Sequence, residues 1–261
     1  MQTAGLRQTL KNSLPKPFVE ALISLKYSGT KLGNSKAFSA FTGGRRGIEI
    51  GGPSLLFKTI LPVYKKIKSL DGVNFSSHTV WEGDLQSGRS FNYFSDRKGT
   101  QYICDATDLA QIKSSTYDFL LSSNCLEHIA NPMKALTEWA RVLKPGGAMI
   151  LVLPNKASNF DHARPVTTFE HLLADHESGK TEDDLTHLDE ILALHDLSMD
   201  PQAGDLQSFK QRSLDNFNNR TLHHHIFDLA LMKQMLGHLG FNVIETAETE
   251  KDHFALAIKT P

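Results

Sequence analysis

The sequence predicts an α/β domain built on a mostly parallel sheet. Strand-sized apolar segments alternate with helix-patterned ones between Gly47 and about Pro154, and a glycine-rich turn closes the first of those strands. A strong helix start at Asn131-Pro132 fixes the frame in the middle of the chain.

Taken in order, Ile48-Glu49-Ile50 is a short strand running into Gly51-Gly52-Pro53-Ser54, and a helix with Leu55, Ile60 and Tyr64 on its buried side follows. Further strands are expected at Ser69–Phe75, Gln101–Cys104, Tyr117–Ser122 and Ala148–Leu153. The helix capped by Asn131 should bury Met133, Leu136, Ala140 and Leu143 and stop at Gly146-Gly147. Asp228–Leu239 reads as the last helix, and Phe241–Thr246 and His253–Lys259 as two closing strands. Residues 155–225 break the alternation: they carry eight of the twelve histidines with little β-propensity. They read as a mainly helical insertion within one domain, since strands that the sheet needs lie on both sides.

Composition narrows the function. The formal charge of -1 excludes a bulk polycation built for nucleic acid, and two cysteines suit a reducing compartment. No stretch approaches the ~20 apolar residues of a membrane-spanning helix. A cytoplasmic location is therefore expected. Residues 1–46 hold eight basic residues against the single acid Glu20. They form a separate basic arm with one helix from about Lys16 that packs Phe18, Leu22 and Leu25. That arm is either a solvated cover or a patch for weak contact with a membrane surface or a polyanion.

The first turn does not match the Gly-x-Gly-x-x-Gly of a dinucleotide site: Pro53 has no N–H, and Glu49 would repel a pyrophosphate. An acid there suits a cationic ligand. With this turn stand Asp105-Ala106-Thr107-Asp108, the run Tyr117-Asp118-Phe119-Leu120-Leu121-Ser122-Ser123-Asn124-Cys125-Leu126-Glu127-His128, and Arg141-Val142-Leu143-Lys144-Pro145-Gly146-Gly147. In this order and spacing the sequence resembles the class I S-adenosylmethionine-dependent methyltransferases over about residues 47–154 and the closing strands. The Gly-Gly-Pro-Ser loop with a histidine-rich insertion further resembles members found with bacterial cell-surface glycan biosynthesis.

That resemblance implies a Rossmann-like sheet with an antiparallel closing strand, and S-adenosyl-L-methionine as cofactor. Glu49 and the main chain at Gly51 and Gly52 should hold its methionine end. Asn74 stands where the family places a ribose-binding acid, so Asp71 or Glu82 are alternatives, and an acid placed at 74 should bind equally or more tightly. Asp105 and Ala106 should meet the adenine, and Asn124 the methyl-donor side. Glu127-His128 reads as a structural helix-start pair, and Cys104 and Cys125 as reduced thiols after non-adjacent strands.

The insertion should choose the acceptor, a hydroxyl of a sugar or glycan precursor or another polar small molecule. His162, close after the fifth strand, is the first candidate for a general base, with His223 and His225 next. Metal binding by these histidines is the weaker reading because no pair has a helical His-x-x-x-His spacing, and no metal ligands are assigned. Transfer to oxygen is favoured over transfer to nitrogen, and the alternatives to a methyltransferase are a cofactor-binding module without transfer and a metal-dependent hydrolase. Oligomeric state is not legible.

Overall fold

The computed structural model describes residues 35–261. The helix expected from about Lys16, with Phe18, Leu22 and Leu25, lies outside the described residues. The described chain opens with α1 (Ser35–Ala40), whose Phe38 is buried in the body, and β1 (Arg46–Ile50). Then come α2 (Leu55–Thr59), β2 (Ser69–Asn74), a small ribbon of β3 (His78–Thr79) and β4 (Gly83–Asp84), and the hairpin β5 (Gly88–Phe94) and β6 (Arg97–Ile103). β7 (Tyr117–Ser123), α3 (Pro132–Val142) and β8 (Leu143–Pro154) complete the first half. The insertion contributes α4 (Phe169–Glu177), α5 (Leu188–Leu194), α6 (Leu206–Leu214) and α7 (Asn216–Asn219), and α8 (Leu229–His238), β9 (Phe241–Glu248) and β10 (Asp252–Lys259) close the fold.

The eight-stranded sheet runs β5-β6-β2-β1-β7-β8-β10-β9. β6, β2, β1, β7 and β8 are mutually parallel, while β10 is antiparallel to both β8 and β9. This is the Rossmann-like class I methyltransferase fold. Its loops gather at the carboxyl ends of the parallel strands, where open α/β sheets bind ligands. Two strands separate β6 from β7, so Cys104 and Cys125 follow non-adjacent strands, and both are free thiols.

Strand alternation divides the core between the two sheet faces. On β8, Met149, Leu151 and Leu153 join Leu136 and Trp139 of α3 and Met232 and Met235 of α8. Ala148, Ile150 and Val152 join Phe38, Phe57, Tyr64 and Phe91 on the other face. A Cβ on Gly47 would fall 2.1 Å from the Phe119 ring, so only glycine lets that ring lie flat across β1.

Three boundaries differ from expectation. Helix α3 is capped by Asn131 Oδ1, which accepts from Lys134 N at 3.0 Å, but it ends at Val142, four residues before Gly146. Leu143 turns extended because the edge of β8 recruits it: it pairs with Tyr117. The first helix stops after Thr59, and Tyr64 reaches the core from the turn beyond it. The strand expected at Gln101–Cys104 starts earlier, as β6 from Arg97, and β5 is an addition paired antiparallel to it, with Phe91 and Tyr93 facing inward.

Candidate active site

A cleft of about 620 Å³ opens over the carboxyl ends of β1, β2, β6 and β7, within the size range of small-molecule and cofactor sites. One side is lined by Gly51, Asn74, Glu82, Asp105, Ala106 and Asn124, and the far side by Phe160, Arg220 and His223 of the insertion. Gly51 takes φ +77, and a Cβ there would meet Cys125 Sγ at 2.7 Å, so the close turn requires glycine.

Glu49 does not line the cleft, which corrects the expectation that its carboxylate holds the cofactor. It is fully buried behind the turn, and a Cβ on Gly52 would overlap it at 2.3 Å. Glu49 Oε1 accepts from Ser54 N at 2.8 Å, and its other oxygen lies 2.6 Å from the Tyr64 hydroxyl, itself 3.1 Å from the Ser54 carbonyl. One hydroxyl proton cannot serve both of its neighbours. Burial, opposed by the bonds from Tyr64 and Ser54, pushes the Glu49 carboxyl up to about 8. A neutral carboxyl completes the ring: it donates to Tyr64, and Tyr64 donates to Ser54 O. Glu49 is thus the strut of the turn. Glu49→Gln, which can donate and accept at the same places, is expected to keep cofactor affinity within about twofold in calorimetry. Glu49→Ala strands two buried partners and should cost about 2–4 kcal/mol in urea unfolding. A tenfold affinity loss in Glu49→Gln would restore a charge contact.

The turn is held from its other side by Asn74, whose Nδ2 donates to Gly52 O at 2.9 Å. This explains an amide where an acid was expected. A carboxylate has no proton to give and would face the carbonyl oxygen. Asn74→Asp is therefore expected to lose about 1–3 kcal/mol of stability and to weaken cofactor binding, the reverse of what the sequence suggests. Asp71 leaves the ribose question altogether: it binds Arg46 at 2.9 Å, Tyr117 Oη at 2.9 Å and Thr100 N at 2.8 Å inside the sheet. Glu82 remains as the carboxylate on that rim.

Asp105 reaches the cleft with one oxygen accepting from Thr107 N at 2.8 Å and the other 3.1 Å from Arg220 Nη1. Ala106 is fixed by its carbonyl, which accepts from Trp139 Nε1 at 2.9 Å. Asn124 takes φ 48 and donates from Nδ2 to Asp252 at 3.3 Å. Cys104 and Cys125 are kept protonated by burial, and neither acts as a thiolate.

Of the three proposed bases, the structure brings only His223 to the cleft. His162 is on an exposed turn, 3.1 Å from Asp196, and does not line it. Nearness to β8 in sequence says nothing about the direction of a turn. His225 is buried and points to Asp175 at 2.9 Å. His224 turns to Asn216, so the three consecutive imidazoles serve three separate places.

His223 Nδ1 lies 2.6 Å from Asp161 Oδ2, which fixes the tautomer and leaves Nε2 as the acceptor. Burial pulls this imidazole down, but Asp161 outweighs it and raises His223 above the ordinary histidine value. Arg164 anchors the pair: it bonds Asp161 Oδ1 at 3.1 Å and the His223 and His224 carbonyls at 2.7 and 3.1 Å. Beside His223 stand Glu127, raised by burial to about 7, and His128, pulled below its ordinary value by burial and by His223. His128 donates from Nδ1 to Leu222 O at 3.1 Å. Both line the cleft, and Glu127 Oε2 is buried with no hydrogen-bond partner among the described residues. The sequence reading treats this pair as structural. The signal for more was an acid and an imidazole directly after a central strand.

Comparison with known proteins agrees with this fold. Residues 68–151 match the family model of a methyltransferase domain. A segment of 75 residues is 31% identical to the ubiquinone biosynthesis O-methyltransferase of Parvibaculum lavamentivorans, covering 29% of each chain. The chain thus matches under a third of that relative's length. Among solved structures, an S-adenosylmethionine-dependent methyltransferase from Mesorhizobium loti superposes with a TM-score of 0.51 at 13% identity, over 87% of this chain and 96% of that one. A chain of the complex between the Haloferax volcanii Trm112 methyltransferase activator and a methyltransferase gives 0.50 at 14% identity, over 92% and 94%. Fold and domain match support a class I S-adenosylmethionine-dependent methyltransferase and imply that cofactor. The cleft fits it: a turn that only glycine permits, carboxylates at Glu82 and Asp105 for a cationic ligand, and a buried oxygen on Glu127 with no hydrogen-bond partner among the described residues.

Proposed function

We propose that the protein transfers a methyl group from S-adenosylmethionine to a hydroxyl oxygen of a polar acceptor, most simply a sugar or glycan precursor. The observation that carries this reading is the Asp161–His223 pair at the cleft wall. An imidazole oriented by a buried carboxylate is the arrangement that removes a proton from a hydroxyl nucleophile near neutral pH. Bound in the cleft, the cofactor supplies an electron-poor methyl on its sulfonium. The chain's own residues do the rest. Gly51, Asn74 and Asp105 set the position of the donor, His223 Nε2 takes the hydroxyl proton, and Asp161 stabilises the imidazolium that results. Arg220 offers a cation to acceptor oxygens.

A phenolic hydroxyl is the second reading, favoured by the aromatic rings of Trp81 and Phe160 at the cleft. The same rings can stack on the apolar face of a sugar. Turnover with nucleotide sugars, oligosaccharides and catechols, followed by S-adenosylhomocysteine release, tests both. Product only from catechols would replace the glycan reading with the phenolic one. Cofactor binding with no product from any acceptor would favour a module without transfer.

A further inference from the structure

The insertion gathers a second polar cluster, none of whose members lines the cleft. His171 and Asp175 stand one turn apart on α4, His187 is the residue just before α5, and His225 lies in the run leading to α8. One ligand atom from each lies within 4.8 Å of all the others. His171 Nε2 is 3.1 Å from Asp175 Oδ2, and His225 Nε2 is 2.9 Å from that same oxygen. His171 Nε2 is also 2.7 Å from His187 Nε2.

Hydrogen bonding alone accounts poorly for these contacts. His171 Nε2 can carry one proton, yet it makes two short approaches, one to a carboxylate and one to another ring nitrogen. A cation between the four atoms satisfies every contact at once. We propose that His171, Asp175, His187 and His225 form a four-coordinate site for a divalent transition metal, of which zinc is the best match, and that the ion staples the insertion. Three imidazoles and a carboxylate are ligands zinc accepts, and four protein ligands with no open position mark a structural site. Ligand atoms about 2.0–2.1 Å from a tetrahedral ion lie about 3.3 Å apart; three of the six pairs are a few tenths of an ångström closer than that, and all six fall within 4.8 Å.

The insertion has reason to need such a staple. Its own apolar cluster has only Ile191, Ala203, Phe209 and Leu222 as buried members. The four ligands tie α4, the start of α5 and the run before α8, positions that no local helical spacing would connect. His225 is also two residues from His223, so the ion would hold the segment that carries the candidate base.

The test uses the intact chain, stripped by dialysis against a chelator and titrated with Zn²⁺ against a competing chromophoric chelator. One equivalent per chain with a Kd of about 10⁻⁶ M or tighter is expected, with a higher Tm on zinc addition. His171→Ala, at a ring that is 43% exposed and so tolerant of truncation, should weaken zinc by at least about 10²-fold, and His187→Ala likewise. His162→Ala, outside the cluster, should retain it. Co²⁺ in place of Zn²⁺ should give the intense visible bands of a four-coordinate ion. No retention at micromolar zinc would overturn the proposal. So would an ion that survives His171→Ala and His187→Ala but leaves with His128→Ala, since it would then sit in the cleft. Should Asp175→Asn or His225→Ala not fold, His171→Ala still decides.

Discussion

Replacing His223 by alanine is expected to lower methyl turnover by about 10²–10⁴ while cofactor affinity stays within about twofold, the range for losing a general base. His162→Ala should keep near-full turnover, because that ring pairs with Asp196 on an exposed turn. The pH profile carries the sharper signature. Only neutral His223 can accept a proton, so turnover rises with pH as this group deprotonates. Since Asp161 raises its pKa, the midpoint of that limb should lie above the ordinary imidazole value. Asp161→Asn removes the raising partner, and the limb should move toward acid as the maximum rate falls. Full turnover in His223→Ala would take the base out of this pair.

The largest stability effect is expected at Arg164. Its guanidinium is 2% exposed and bonds Asp161, Glu190 and two backbone carbonyls. Burial pushes Asp161 up, yet His223 and Arg164 outweigh it and hold the carboxyl below its usual range. Arg164→Leu therefore leaves a buried carboxylate and two carbonyls without their partner, at a cost of about 3–5 kcal/mol in urea unfolding. Lysine should not rescue it, because one ammonium cannot reach four acceptors spread around the guanidinium fork. Adding Asp161→Asn should recover part of the loss by removing the stranded charge. A loss under about 1 kcal/mol in the single variant would show that the network carries no weight.

Much of the cofactor half was legible because its signals are local. Asn131-Pro132 announces a helix from within four residues, and the run Ala148–Leu153 can only be a strand buried on both faces. Of the hairpin at 88–103 the sequence shows only the second strand, near Gln101–Cys104; in the first, Phe91 and Tyr93 alternate, but polar neighbours hide a period of two over so short a span. Glu49 was correctly marked as unusual, but its role was inverted. An acid beside a ligand turn suggests a ligand contact, and only its bond to Tyr64, fifteen residues on, shows that it braces the turn from the buried side. In the insertion almost nothing was legible. His223 meets Asp161 across 62 positions, and His225 meets Asp175 across 50. No periodicity reports pairings of that length.

The ion pair between Asp105 and Arg220 joins the two walls of the cleft, one belonging to the loop after β6 and one to the insertion. A ligand that takes Asp105 as its partner withdraws part of what Arg220 holds, and a ligand that takes Arg220 does the same to Asp105. Occupancy of the two halves is therefore thermodynamically linked. Whatever factor the first ligand imposes on the second, the second imposes on the first. Arg220 is also held by Glu182 at 3.2 Å, which limits how far it can swing and keeps that factor modest. The strength of coupling between the two halves of the cleft becomes a property of one arginine.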